Sequence, residues 1–141
     1  NYQYNMIIRT HPVLRWRDIK KSFPYINHIT NIKVSENNNI YSDLANAQFC
    51  VYWGSAVCLD AISSGIPVAH YNEGKYLSYD PLFQLNAFKW NIKSDDDLDK
   101  IINNINKMPI NEYNLLRQQA QKYICDYLHE NNDHNMYKFI K

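Results

Sequence analysis

Glycine and proline are scarce, three and five residues in 141, and no internal repeat or low-complexity tract is present; the frequent asparagine is background composition. The three cysteines, at 50, 58 and 125, form no C-x-x-C pair. That spacing argues against a zinc site or a disulfide framework and fits a reduced, cytoplasmic setting. No window approaches the roughly 18 consecutive apolar residues that a spanning helix needs, and no signal-peptide pattern is found. A strong charge of one sign is also lacking. The formal net charge of +1 gives no global argument for a nucleic acid or any other polyanion as partner.

What is present is hydrophobic bulk, 45% of residues with 14% aromatic, enough to bury one core. A single domain spanning residues 1–141 is therefore expected. The chain begins at Asn1 and enters a strand almost at once, so it is expected to be a domain of a longer protein. Charge is unevenly spread: Arg9, Arg15, Arg17, Lys20, Lys21 and Lys33 face only Asp18, Glu36 and Asp43 in the first fifty residues. A local basic area follows from that.

Residues 49–70 carry the clearest pattern. Phe49, Cys50, Val51, Tyr52 and Trp53 form a continuous apolar run, Gly54-Ser55 interrupts it, residues 56–64 have helical spacing, and Gly65-x-Pro67 leads into a second apolar run. This reads as strand, tight turn, helix, strand. In open α/β sheets, ligands bind at the carboxyl edge where such a turn lies, and a helix start there offers backbone N–H groups to an anion.

Around this unit, strands are expected at 5–10, 32–34, 67–71 and 87–91. Helices are expected at 12–22 and 40–46, after an N-cap at Ser94, and from Asn111 with Tyr113, Leu116, Ala120, Tyr123, Ile124 and Tyr127 on its apolar face. The alternation predicts an α/β fold, a Rossmann-like, mostly parallel sheet of about five strands with helices on both faces. Residues 72–86 form a long irregular segment, and loops of that length are often functional.

Each candidate residue has a structural reading beside its functional one. Arg9 and His11 end the first strand, where a guanidinium and an imidazole can grip a phosphate; the alternative is a histidine that caps a turn opened by Pro12. Gly54 permits close approach of a ligand, and Ser55 offers a hydroxyl to phosphate or merely caps the helix. Asp60, about one turn on, can accept hydrogen bonds from ribose hydroxyls or be simply solvated. Asp95-Asp96-Asp97 formally contains an Asp-x-Asp metal signature, but its place after Ser94 makes helix capping the better reading, and no metal is predicted. Arg15, Trp16, Arg17, Lys20 and Lys21 read as a solvated helix face rather than a membrane contact. The tyrosines and Trp90 read as core and edge packing.

Taken together, Arg-x-His-Pro at a strand end, Ser42-Asp43-Leu44 in a short helix, and Trp-Gly-Ser-x4-Asp-Ala-x3-Gly-x-Pro-Val resemble the C-terminal, nucleotide-binding half of GT-B glycosyltransferases. The similarity is nearest to bacterial surface-polysaccharide enzymes: capsule-type Kdo transferases, sialyl- and polysialyltransferases, and CDP-glycerol polymer transferases. It covers residues 7–71 well and the remainder in outline.

The resemblance implies His11 as the catalytic contact to donor phosphate, with Gly54 and Ser55 holding the same group and Arg9 assisting. Asp60 falls where these families usually carry a glutamate that reaches the ribose, one methylene longer. Asn72, Glu73 and Gly74 would approach the donor sugar. The implied function is the donor-nucleotide-binding domain of a glycosyltransferase, or glycerophosphotransferase, in surface polysaccharide assembly. The donor nucleotide-sugar is the substrate and no separate cofactor is implied; CMP- or CDP-linked donors are favoured, with UDP- and GDP-linked ones left open.

The implied acceptor is a carbohydrate or lipid-linked chain, met through an N-terminal domain that would also supply the base. Peripheral association with the inner face of the membrane stays open, and the isolated chain is expected to be inactive. Two alternatives remain: a non-catalytic Rossmann-like regulatory or interaction module, and a UDP-aminosugar epimerase-like domain.

Overall fold

The computed structural model describes residues 4–11, 13–72, 74 and 79–128. Its contacts divide the chain into two compact units, Asn1–Asp43 and Leu44–Lys141. Each is described by itself.

In the first unit, β1 (Met6–Ile8) pairs in parallel with β2 (Ile32–Val34), in the register Met6 to Ile32 and Ile8 to Val34. The crossover between them carries α1 (Trp16–Ser22) and a short 3-10 helix (Pro24–His28) opened by its proline. α1 starts four residues later than the sequence predicts. The His11 carbonyl accepts the Leu14 N–H at 2.8 Å, and Arg15 is extended, so the chain turns before it winds. α2 (Ile40–Leu44) follows β2 and crosses the unit boundary in sequence. Among the described residues of this unit, none is buried.

The second unit holds β3 (Cys50–Tyr52), β4 (Val68–Tyr71) and β5 (Lys89–Ile92), all parallel and in that order. α3 (Val57–Ser63) makes the crossover from β3 to β4. It ends in a Schellman turn at Gly65, φ +76°, where Ile66 N–H reaches the Ala61 carbonyl and Gly65 N–H the Ile62 carbonyl.

α4 (Asp95–Lys107) begins at Ser94, the N-cap that the sequence predicts, and Asp97 completes a capping box with it. Its Ile101 packs with Ala69 and Ile92, and Leu98, Ile105, Tyr71 and Trp90 gather around them, so α4 covers one face of the sheet. The opposite face presents Val68, His70 and Tyr52, in register across β3 and β4. α5 (Ile110–Tyr127) buries Ala120 and Ile124 and sets Tyr113 edge-on against Phe88, ring centroids 5.0 Å apart.

The α/β class and the parallel pairing are as expected. The strands differ in their grouping, two in one sheet and three in the other, where the sequence predicts a single sheet of about five. Strands of three or four residues have few ladder bonds with which to extend a sheet. Among the described residues, no helix is long and apolar enough to cross a membrane.

Candidate functional site

The turn after β3 follows from a change of direction at Tyr52. That side chain is buried at 3% exposure, whereas Trp53, Gly54, Ser55 and Ala56 are all exposed. Gly54 has φ +61°, a left-handed conformation that costs a residue with a Cβ about 1–2 kcal/mol. A Cβ there would also stand 3.4 Å from the Tyr79 carbonyl oxygen, so the loop before β5 runs close against the turn.

Ser55 lies just before α3, and its Oγ accepts the Val57 N–H at 3.3 Å. Behind it, the Cys58 thiol and N–H both donate to the Ser55 carbonyl, at 3.1 and 3.5 Å. The turn is therefore held from within, with its outer side open to solvent. α3 has only seven residues, so its dipole is short, and the hydroxyl and backbone of the turn itself are the better anion-binding groups. Asp60 is half-buried on α3, and Gly74, at φ +74°, donates its N–H to Asn72 Oδ1 at 2.9 Å. Glu73 and Pro12 lie outside the described residues.

Beneath the turn is a polar cluster that the sequence reading did not anticipate. Asp80 Oδ1 accepts the Tyr52 hydroxyl at 2.7 Å and the Leu82 N–H at 2.9 Å. Its Oδ2 accepts the Lys89 ammonium, which also donates to the Leu82 carbonyl at 2.6 Å. His70 Nδ1 lies 3.7 Å from the same oxygen, and its ring stacks on Tyr52 with centroids 5.1 Å apart.

Burial works to raise the Asp80 carboxyl, but bonds from Lys89, Tyr52 and the Leu82 N–H outweigh it and hold the group below its ordinary value. Burial, with the Asp80 bond and charge added, pushes the Tyr52 phenol far above its usual range. Burial likewise raises the Cys50 thiol to about 11 and, joined by the Asp80 charge, Cys58 to about 12, so neither is a thiolate at neutral pH. A signal for this cluster does exist in the sequence. His70 interrupts a strand that is otherwise apolar but for the Tyr71 hydroxyl, and a polar residue in a buried strand needs a partner.

In the first unit, His11 is exposed, and its Nδ1 accepts the Val13 N–H at 3.3 Å. That bond is the turn-capping role weighed against the phosphate role, and it leaves the neutral imidazole's proton on Nε2 as a donor. Arg9 is differently committed. Its guanidinium donates to Asp43 Oδ2 at 2.7 Å, to the Asn37 and Asn38 carbonyls at 2.9 and 3.1 Å, and to Ser35 Oγ at 3.3 Å.

Burial acts to raise Asp43, but bonds from Ser35, Asn37 and Arg9 more than offset it and lower the carboxyl. Arg9 therefore buttresses the loop after β2 and is charge-balanced there. An open groove of about 740 Å3 runs between Trp16, Lys20, Ile26, Ile29, Val34 and Asn37, with the Lys20 ammonium 5.7 Å from the Trp16 ring centre.

Within the second unit the structure brings Gly54, Ser55 and Asp60 onto one turn and helix. Arg9 and His11 belong to the first unit and share one strand end. Fold and site together define a class, a parallel α/β protein with an exposed small-residue turn at a strand's carboxyl end. No protein-family model matches the chain, and no curated protein or solved structure matches it either.

Proposed function

We propose that this chain is the donor-nucleotide-binding domain of a GT-B-type glycosyltransferase, or glycerophosphotransferase, of surface polysaccharide assembly, and that the Gly54–Ser55 turn holds the donor's phosphate. The observation that carries the reading is the turn itself: left-handed at Gly54, open on its outer side, held behind by Cys58, and with the Tyr79 carbonyl alongside Gly54. A group fixed before the ligand arrives needs no reorganisation as charge develops on a leaving phosphate.

Ser55 donates its hydroxyl to the phosphate, and Asp60 accepts from the ribose. Arg9, in the other unit, has its charge already balanced by Asp43. The acceptor base comes from another domain, so the chain binds nucleotide weakly and turns nothing over. The same Arg9–Asp43 pairing favours a second reading, a non-catalytic α/β module in which the end of β1 is purely structural.

A shift-mapping titration of the chain with CMP, CDP, UMP and UDP separates the readings. Cytidine-selective shifts at Ser55 and Asp60, lost in Ser55→Ala, are expected. Uridine selectivity would move the assignment to an epimerase-like domain, and no shifts with any nucleotide would leave the non-catalytic module.

A further inference from the structure

Two segments of the second unit, one of which runs into the Ser55 turn, present large aromatic rings to solvent. Trp53 is 64% exposed, Tyr79 69% and Phe83 68%. Their orientation follows from what their neighbours do. Tyr52 and Asp80 are joined side chain to side chain, Leu82 is fully buried, and Phe83 N–H closes a turn onto the Asp80 carbonyl at 3.1 Å.

With 52, 80 and 82 turned inward, residues 53, 79 and 83 face outward on a backbone that is already fixed. The Tyr79 carbonyl meets the turn at Gly54, one residue from both Trp53 and Ser55. Exposed aromatics grouped on a fixed backbone mark a binding edge.

Resting on the reading that Ser55 holds phosphate, we infer that Trp53 and Tyr79 form the platform for the transferred group, and that this group is a sugar ring rather than glycerol. The sidedness is set by Asp60. Taking the ribose at Asp60, along α3 from Ser55, leaves the other ester of the phosphate chain to extend towards the strand side of the turn, where Trp53 and Tyr79 stand. A pyranose lays its C–H face on an aromatic ring while its hydroxyls stay in water, which suits a platform open on one side. Glycerol has no such flat face.

The test compares CDP-glucose with CDP-glycerol, two ligands of matched charge and nucleotide, by titration calorimetry and by the indole resonance of Trp53. CDP-glucose is expected to bind about fivefold more tightly, the size of one aromatic contact, and to shift the Trp53 indole. Trp53→Ala or Tyr79→Ala should make the two ligands bind alike, and both positions are too exposed for the change to unfold the chain. Equal affinity in the unmodified chain, with Ser55 still perturbed, overturns the sugar platform and leaves the phosphate reading standing. A preference that survives in both variants also overturns it, and failure of every cytidine nucleotide to bind removes both readings together.

Discussion

The two units are ordered by different forces. In Leu44–Lys141 a set of fully or nearly buried side chains, among them Ile62, Val68, Leu82 and Phe88, closes a core on both sides of a three-stranded sheet. In Asn1–Asp43 the apolar residues gather without closing. Ile7 remains 51% exposed, and Val13 82%. What fixes that unit is one guanidinium that reaches three residues of the loop after β2 and a carboxylate of α2. Both units contain a lysine- or arginine-to-aspartate pair with carboxylates alike in exposure, 12% and 11%, but the Lys89 side chain is 7% exposed and the Arg9 side chain 34%. The same chemistry should therefore have different consequences in each.

Removing the cation is the most direct way to break the comparison. Lys89→Ala leaves the Asp80 carboxylate largely buried without its counter-ion, and should cost about 3 kcal/mol, the low end for a broken buried pair. Arg9→Ala removes a cation whose side chain is 34% exposed, against 7% for Lys89, and leaves Asp43 its bonds from Ser35 and Asn37. It should cost less than about 1 kcal/mol, as surface pairs do. Urea denaturation of both variants measures the contrast, and equal losses would mean that burial does not distinguish the two pairs.

Acid sharpens the same contrast. The Asp80 carboxyl is lowered in the folded chain, so its contribution is fully present above the unfolded carboxylate value of about 3.9. It is lost as pH falls through the lower folded value. Stability measured between pH 5 and pH 2.5 should therefore drop, and Asp80→Asn should flatten part of that slope from a lower starting level. A variant whose pH profile runs parallel to the parent's would remove Asp80 from the account of acid unfolding.

These effects turn on contacts of the kind that a sequence hides. The five strands, the N-cap at Ser94 and the Gly54–Ser55 turn were legible because each is a local matter: apolar runs, a serine before a run of helical period, a glycine between a strand and a helix. The helix at 12–22 was misplaced at its start because the proline cue competes with the turn that His11 closes, through its carbonyl to Leu14 and its Nδ1 to Val13. The short helix opened by Pro24 was missed. Least legible were the polar partners. Arg9 finds Asp43 34 residues away and Tyr52 finds Asp80 28 away, and no periodicity announces such pairs. So the sequence could nominate Arg9 for a phosphate without revealing the carboxylate that already engages it.

The smallest effect concerns a group with no such partner. The Tyr123 hydroxyl on α5 is shut from solvent and, among the described residues, has no hydrogen-bond partner. Burial, with the Tyr127 and Asp80 charges added, raises its phenol, so it is neutral at any ordinary pH. A buried hydroxyl that makes no bond carries its desolvation cost without return, and replacing it with an apolar ring of the same shape removes that cost. Tyr123→Phe keeps the ring stacked on Tyr127, whose centroid is 6.0 Å away. It should leave stability unchanged or raise it by up to about 1 kcal/mol. A clear loss in urea denaturation would show that the hydroxyl is bonded in solution, and would place a polar group or a water at the α5 edge of the second unit's core.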